Sequence, residues 1–172
     1  HRLRTLTEFD RDGKGSKSSV LSRFQNVDYY FTKGFTLSYT GIYAPNLRLN
    51  SIGVFDVGGS SVFSELQAQN ILGKFTSKLN KYFAKVYIDQ TVNFQVDENK
   101  ALPFILEESD RIKELVDSII EKQHKDPRYP YHLYEQKEIN QIVYELFNLN
   151  EEDIREVETW YRRRYPALRD HH

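Results

Sequence analysis

The sequence of 172 residues contains no cysteine and no methionine, and only one tryptophan. Without a thiol, disulfide frameworks, thiolate catalysis, iron–sulfur clusters and cysteine-based zinc sites are excluded, and a cytoplasmic setting is the expectation. The missing initiator methionine leads us to expect a piece of a longer protein. No run of about 18 apolar residues occurs, so a membrane-spanning helix is excluded. His1 to Asp10 is polar and charged, and no secretory leader is expected there. Charge of one sign is also lacking, since the formal net charge is −1. That is far from the strongly basic balance of an autonomous DNA-binding protein.

What is present is an aromatic-rich, core-forming chain. Its 12 Tyr, 11 Phe and 1 Trp make up 14% of the residues, and 39% are hydrophobic, which argues against disorder across the chain. The near-neutral charge conceals an asymmetry. Residues 1–106 carry 13 Lys/Arg against 9 Asp/Glu, whereas residues 107–172 carry 11 against 16. A nucleic-acid contact surface, if there is one, is therefore expected in the first part. The plainer reading is that helical segments are rich in solvated Glu.

The pattern along the chain predicts an α+β fold, with a small mixed or antiparallel sheet and packed helices followed by a three-helix C-terminal tail. Residues 1–19 read as a flexible lead-in, 20–106 as the α+β domain, 107–170 as the helical tail and 171–172 as a possible tag remnant. Spacings of three and four suggest a short helix over 20–31, and Phe35 to Thr40 alternates as a strand. Leu47–Leu49 and Ile52–Val57 read as further strands, and Gly58-Gly59-Ser60-Ser61 as a turn before an extended Val62-Phe63. Gln67 to Tyr87 reads as one helix with Lys74, Lys78, Lys81 and Lys85 along one face. Thr91 to Val96 alternates as a strand, ended by the polar Asp97 to Lys100. Leu102 to Ile105 is expected to be an edge strand or an extended linker, because Pro103 lacks an amide donor. Three helices follow, over 107–125, 135–147 and from an Asn150 cap to Arg162-Arg163-Arg164 before Pro166.

No catalytic pattern stands out. Gly58-Gly59 lacks the spacing and the following helix of a dinucleotide site, and P-loop, HExxH and GxSxG motifs are missing. Asp126-Pro127-Arg128-Tyr129 is a superficial echo of an amino-methyltransferase tetrapeptide, with Arg128 where a second proline is needed. Asp89 with Glu98 and Lys100, or Asp126 with Glu135 and Lys137, imitates a nuclease pattern too short to be specific. His124 and His132 straddle a proline-containing break. We expect no enzymatic activity, no cofactor and no metal ligands in this segment.

Residues 34–63 instead concentrate side chains suited to bases and phosphates. Ser38, Tyr39, Thr40, Tyr43, Asn46, Arg48, Asn50, Ser51, Ser60 and Ser61 supply donors, acceptors and stacking faces. A polar hairpin surface with half-buried tyrosines is the alternative. Lys74 and Lys78, with Lys81 and Lys85, could track a phosphate backbone or be solvated helix lysines. Arg162 to Arg164 fit the dipole of a helix C-terminus.

An ordered string of motifs carries a resemblance. Gly34-Phe35-Thr36-x-Ser38 precedes Gly41-Ile42-Tyr43-Ala44-Pro45-x-x-Arg48-Leu49 and Gly53-Val54-Phe55-Asp56-x-Gly58-Gly59-Ser60-Ser61. Ile71 to Leu79 then leads through Asn93-Phe94-Gln95-Val96 to Leu102-Pro103, and Ile142 to Glu152 closes the series. Over roughly residues 20–165 this string resembles the C-terminal specificity region of large adenine-specific DNA methyltransferases. These are the BREX phage-defence methylases and fused restriction–modification enzymes with a TaqI-like specificity domain. Thr76 stands where an Asn is usual in that family. The resemblance implies a target-recognition domain that binds double-stranded DNA for an upstream methyltransferase domain. That domain, with its S-adenosylmethionine site, would lie outside this segment. Asn93 and Gln95 then join the contact candidates, unless they pin their strand to its neighbours. The rival reading is a helical protein-interaction or scaffold module of a multi-domain enzyme.

Overall fold

The computed structural model describes residues 27–32, 34–38, 43, 44, 46–49, 59–63, 68–91 and 96–166. The lead-in, most of the expected first helix, the strand expected at 52–57 and the middle of that expected at 91–96 lie outside the described residues.

Three short strands form an antiparallel sheet: β1 (Gly34–Ser38), β2 (Leu47–Leu49) and β3 (Gly59–Phe63), in the order β2-β1-β3. Phe35 and Leu37 alternate with Thr36 and Ser38 along β1, so the two-residue period sends the first pair into the core. Thr36 pairs with Arg48 on one side and with Ser61 on the other. The expected turn at 58–61 is partly a strand instead, because Gly59, Ser60 and Ser61 pair with Ser38, Leu37 and Thr36. Gly34 admits no side chain, since a Cβ there would meet the backbone of Val62 across the ladder.

The single helix expected over 67–87 is three pieces. Helix α1 (Ala68–Thr76) stops at Ser77, whose backbone is extended at φ −61° and ψ 154°. The Ser77 hydroxyl accepts from the Asn80 amide at 3.2 Å and starts α2 (Lys78–Phe83). A serine that can satisfy an orphan amide is a cap as readily as a helix residue, and hydrophobic periodicity does not register the difference. Helix α2 runs into a π-helical turn at Ala84–Ile88, closed by the Asp89 amide donating to the Ala84 carbonyl at 2.9 Å. The polar run expected to end a strand is also helical, as α3 (Val96–Ala101). From Pro103 to Ser109 the chain forms no regular element, in keeping with the linker alternative.

Helix α4 (Asp110–Lys125) is capped by Ser109, which accepts from the Ile112 amide at 3.2 Å. Asp126 then accepts from the Arg128 amide at 2.9 Å and turns the chain toward α5 (Glu135–Leu146). Asn148 takes a left-handed conformation, φ 52°, just past α5. Helix α6 (Glu151–Arg164) begins with a full capping box between Asn150 and Asp153. The fold is α+β.

One apolar cluster joins these layers. Phe35 and Leu37 of the sheet pack with Leu72 of α1, Leu79 and Tyr82 of α2, Ile112 and Val116 of α4, Ile139 and Val143 of α5 and Val157 of α6. The last three helices thus complete the core under the sheet. Buried polar contacts align them: Glu135 accepts from Ser118 (3.1 Å), Lys122 (2.5 Å) and Tyr129 (3.0 Å), clamping α5 to α4. No helix among the described residues is long and apolar enough to cross a membrane.

Candidate nucleic-acid interface

The buried face of β1 is spent on Phe35 and Leu37, which leaves its other face to carry chemistry. Directly opposed residues of antiparallel strands project to the same side, so Arg48, Thr36 and Ser61 form a row across all three strands. The Thr36 and Ser61 hydroxyls are 3.4 Å apart. Arg48 is exposed, and among the described residues it forms no ion pair. Ser38 extends the face along β1 and accepts from the Asn46 amide at 2.9 Å, which holds the start of the β2 arm. At the other end of the sheet Phe63 stacks on Tyr29 with ring centres 5.2 Å apart. Tyr29 and Phe31 are both exposed, and Phe31 has φ 62°.

A second feature stands where the chain between β1 and β2 meets the end of α6. The Ala44 amide donates to the Tyr165 hydroxyl at 3.0 Å, and the Tyr43 and Tyr165 rings lie 5.1 Å apart. The Arg164 guanidinium lies 5.8 Å from the centre of the Tyr43 ring, within cation–π range. Lys81 sits 5.7 Å from each of the Tyr161 and Tyr165 rings. Burial, with a smaller push from Lys78, lowers the Lys81 ammonium from 10.5 to about 8. Lys85 is lowered chiefly by burial, with Asp89 opposing and Arg164 adding to the effect. Its ammonium donates to the Thr91 carbonyl at 2.8 Å. The fold therefore draws Lys81, Lys85 and Arg164 to one corner, where the field of Arg164 reaches Lys85.

The lysines of residues 74–85 consequently differ from a solvated stripe. Lys74 is only 4% exposed and donates to the carbonyls of Ile105 (2.8 Å) and Glu107, with Phe104 beneath it. Lys78 pairs with Glu158 at 2.7 Å over the ring of Tyr161. Glu158 also accepts from Tyr144 at 2.9 Å. Burial, followed by the charge of Glu158, holds the Tyr144 phenol above its ordinary range. Lys74 thus anchors the linker and Lys78 anchors α6. Burial lowers the Lys74 ammonium, against the pull of Glu107 and Glu108.

Of the residues singled out by sequence, the structure gathers Ser38, Arg48 and Ser61 on the sheet and sets Tyr43 at the corner, 44% exposed. Ser60 lies on β3 opposite Leu37. Tyr39, Thr40, Asn50, Asn93 and Gln95 lie outside the described residues. Sequence reasoning did not connect Tyr165 or Arg164 with Tyr43, because 121 residues separate Ala44 from Tyr165 and no local pattern links them. Glu135, part of a nuclease-like spacing, is occupied by Lys122, Tyr129 and Ser118.

A scan of protein-family models and a search of curated proteins found no match to this chain. What the fold and surface define is a class: an α+β module with a polar, arginine-bearing sheet face beside a cationic, tyrosine-lined corner.

Proposed function

We propose that this chain is a sequence-specific DNA-recognition domain of an adenine-specific DNA methyltransferase or restriction–modification enzyme. The observation that carries the reading is the row of Arg48, Thr36 and Ser61 on the open face of the sheet. An exposed arginine beside two hydroxyls is suited to a guanine edge and flanking phosphates. The motif resemblance over residues 20–165 supplies the methyltransferase context. In this reading Ser38, Arg48 and Ser61, with Tyr39, Thr40 and Asn50 of the flanking segments, face double-stranded DNA. An upstream domain would supply S-adenosylmethionine and flip the adenine. The present segment performs no methyl transfer, holds no cofactor, and works with cytoplasmic DNA. Helices α4 to α6 keep the sheet rigid by completing its core.

The test is selection of bound duplexes from a randomised pool by the purified chain at about 50 mM salt. One short motif should emerge. Arg48→Ala should relax discrimination at one position, at about 1–3 kcal/mol, while leaving other positions unchanged. A pool with no enriched motif rejects sequence recognition. Partner binding indifferent to salt would favour the interaction-module reading instead.

A further inference from the structure

We propose that the corner formed by Tyr43 and the Arg162-Arg163-Arg164 end of α6 is a phosphate-backbone contact separate from the base-reading sheet. The inference rests on the DNA-binding reading and assigns it a second site. Three observations converge on it.

First, α6 ends in three consecutive exposed arginines. A helix dipole is satisfied by cations in the last turn, but nothing in that effect requires them to stand against another element. Here the Tyr165 hydroxyl holds the Ala44 amide, which ties the arginine-bearing end of α6 to the chain entering β2. Second, the corner is open to solvent, with Tyr43 and all three arginines exposed. A polyanion is drawn to a cluster of exposed cations. Third, the cations are framed by aromatic rings. Tyr43 lies under Arg164, and Tyr161 and Tyr165 flank Lys81. Phosphate contacts fix the register of a protein on a duplex without reading sequence. Asn46, three residues beyond Tyr43, bonds to Ser38 of the sheet, so the corner is continuous in chain with the arm that carries Arg48.

The experiment measures binding of a labelled mixed-sequence duplex to the whole chain across a salt series. Three variants are compared with the wild type. One replaces Arg162, Arg163 and Arg164 by Gln, and one replaces the same three by Lys. The third replaces Lys113, Arg128 and Arg155 by Gln, which removes equal charge from exposed sites elsewhere. Circular dichroism and melting confirm that each variant folds. The Gln variant of the corner should lower the slope of log K against log salt by about 2–3, at about one per lost phosphate contact. The Lys variant should keep the slope, and the control triple should leave it nearly unchanged.

Equal losses for the corner and control triples would reduce the effect to net charge and overturn the inference. An unchanged slope for the corner Gln variant would overturn it while leaving the recognition reading to the selection experiment. A slope carried by the corner, with no sequence enriched in that selection, would sustain the inference and overturn only sequence reading. Competition by poly-glutamate as strong as by DNA of matched charge would make the site a general acidic-polymer site and overturn it. Failure to bind duplex even at about 20 mM salt overturns both.

Discussion

The backbone amide of Ala44 donates a hydrogen bond to the hydroxyl of Tyr165 at 3.0 Å, across 121 residues of sequence. Ala44 is buried, and the contact joins the chain entering β2 to the end of α6. It is the point at which the C-terminal helix becomes part of the candidate DNA-binding surface.

Replacing Tyr165 by Phe removes that acceptor and keeps the ring packed against Tyr43 and stacked on Tyr161. A buried amide losing its partner costs about 1–2 kcal/mol. Urea unfolding should show this loss, and a change below about 0.3 kcal/mol would mean that water or a neighbour satisfies the amide.

Gly73 lies where α1 meets α4. A Cβ at this position would come 2.5 Å from Cγ2 of Ile112 and 3.1 Å from Cγ2 of Val116. Alanine is favoured over glycine in a helix by about 1 kcal/mol, but overpacking a filled core costs about 1–3 kcal/mol. Gly73→Ala should therefore lower stability despite its better helix propensity. A rise in the denaturation midpoint would show that α1 and α4 separate easily.

Lys81 gives a pH signature. Its ammonium, lowered from 10.5 to about 8, binds fewer protons in the folded chain than in the unfolded chain between those values. Stability should rise with pH across that window, and the penalty for the buried charge should be complete below pH 8. Comparing wild type with Lys81→Met from about pH 8 to 9.5 should show an excess rise of about 1 kcal/mol in the wild type, after allowance for solvent screening. Parallel curves would place Lys81 in water.

The opposite slope belongs to Glu135. Burial pushes its carboxyl up, but hydrogen bonds from Lys122, its own backbone amide, Tyr129 and Ser118 outweigh this and hold it below the usual value. Its contribution is present above 4.5 and should fade as pH falls through the lowered folded value. Glu135→Gln should cost about 1–3 kcal/mol at neutral pH, with the gap to wild type closing in acid. A constant gap would exclude ionisation as its source.

Much of the helical part was legible in the residues. Asn150 carries local capping chemistry, and Ile112, Ile139, Val143 and Val157 recur at helical spacing, whereas Ser109 caps α4 inside the stretch expected to be helical from residue 107. Such signals lie within a few residues of the structure they specify. Ser77 was harder to read because its neighbours keep the period unbroken while its hydroxyl starts a new helix. The polar Asp97 to Lys100 reads as the end of a strand, but such a run also suits one turn of helix.

The candidate site divides along the same line. Sequence alone determined that residues 34–63 are rich in groups for bases and phosphates, that β1 alternates, and that three arginines end the last helix. Only the tertiary structure decided that Arg48, Thr36 and Ser61 share a row, that Lys74 turns inward to backbone carbonyls, and that Arg164 stands over Tyr43. Capping and periodicity act between near neighbours in the chain. Which distant cations meet depends on how the sheet and helices bury their common core, and no local pattern encodes that.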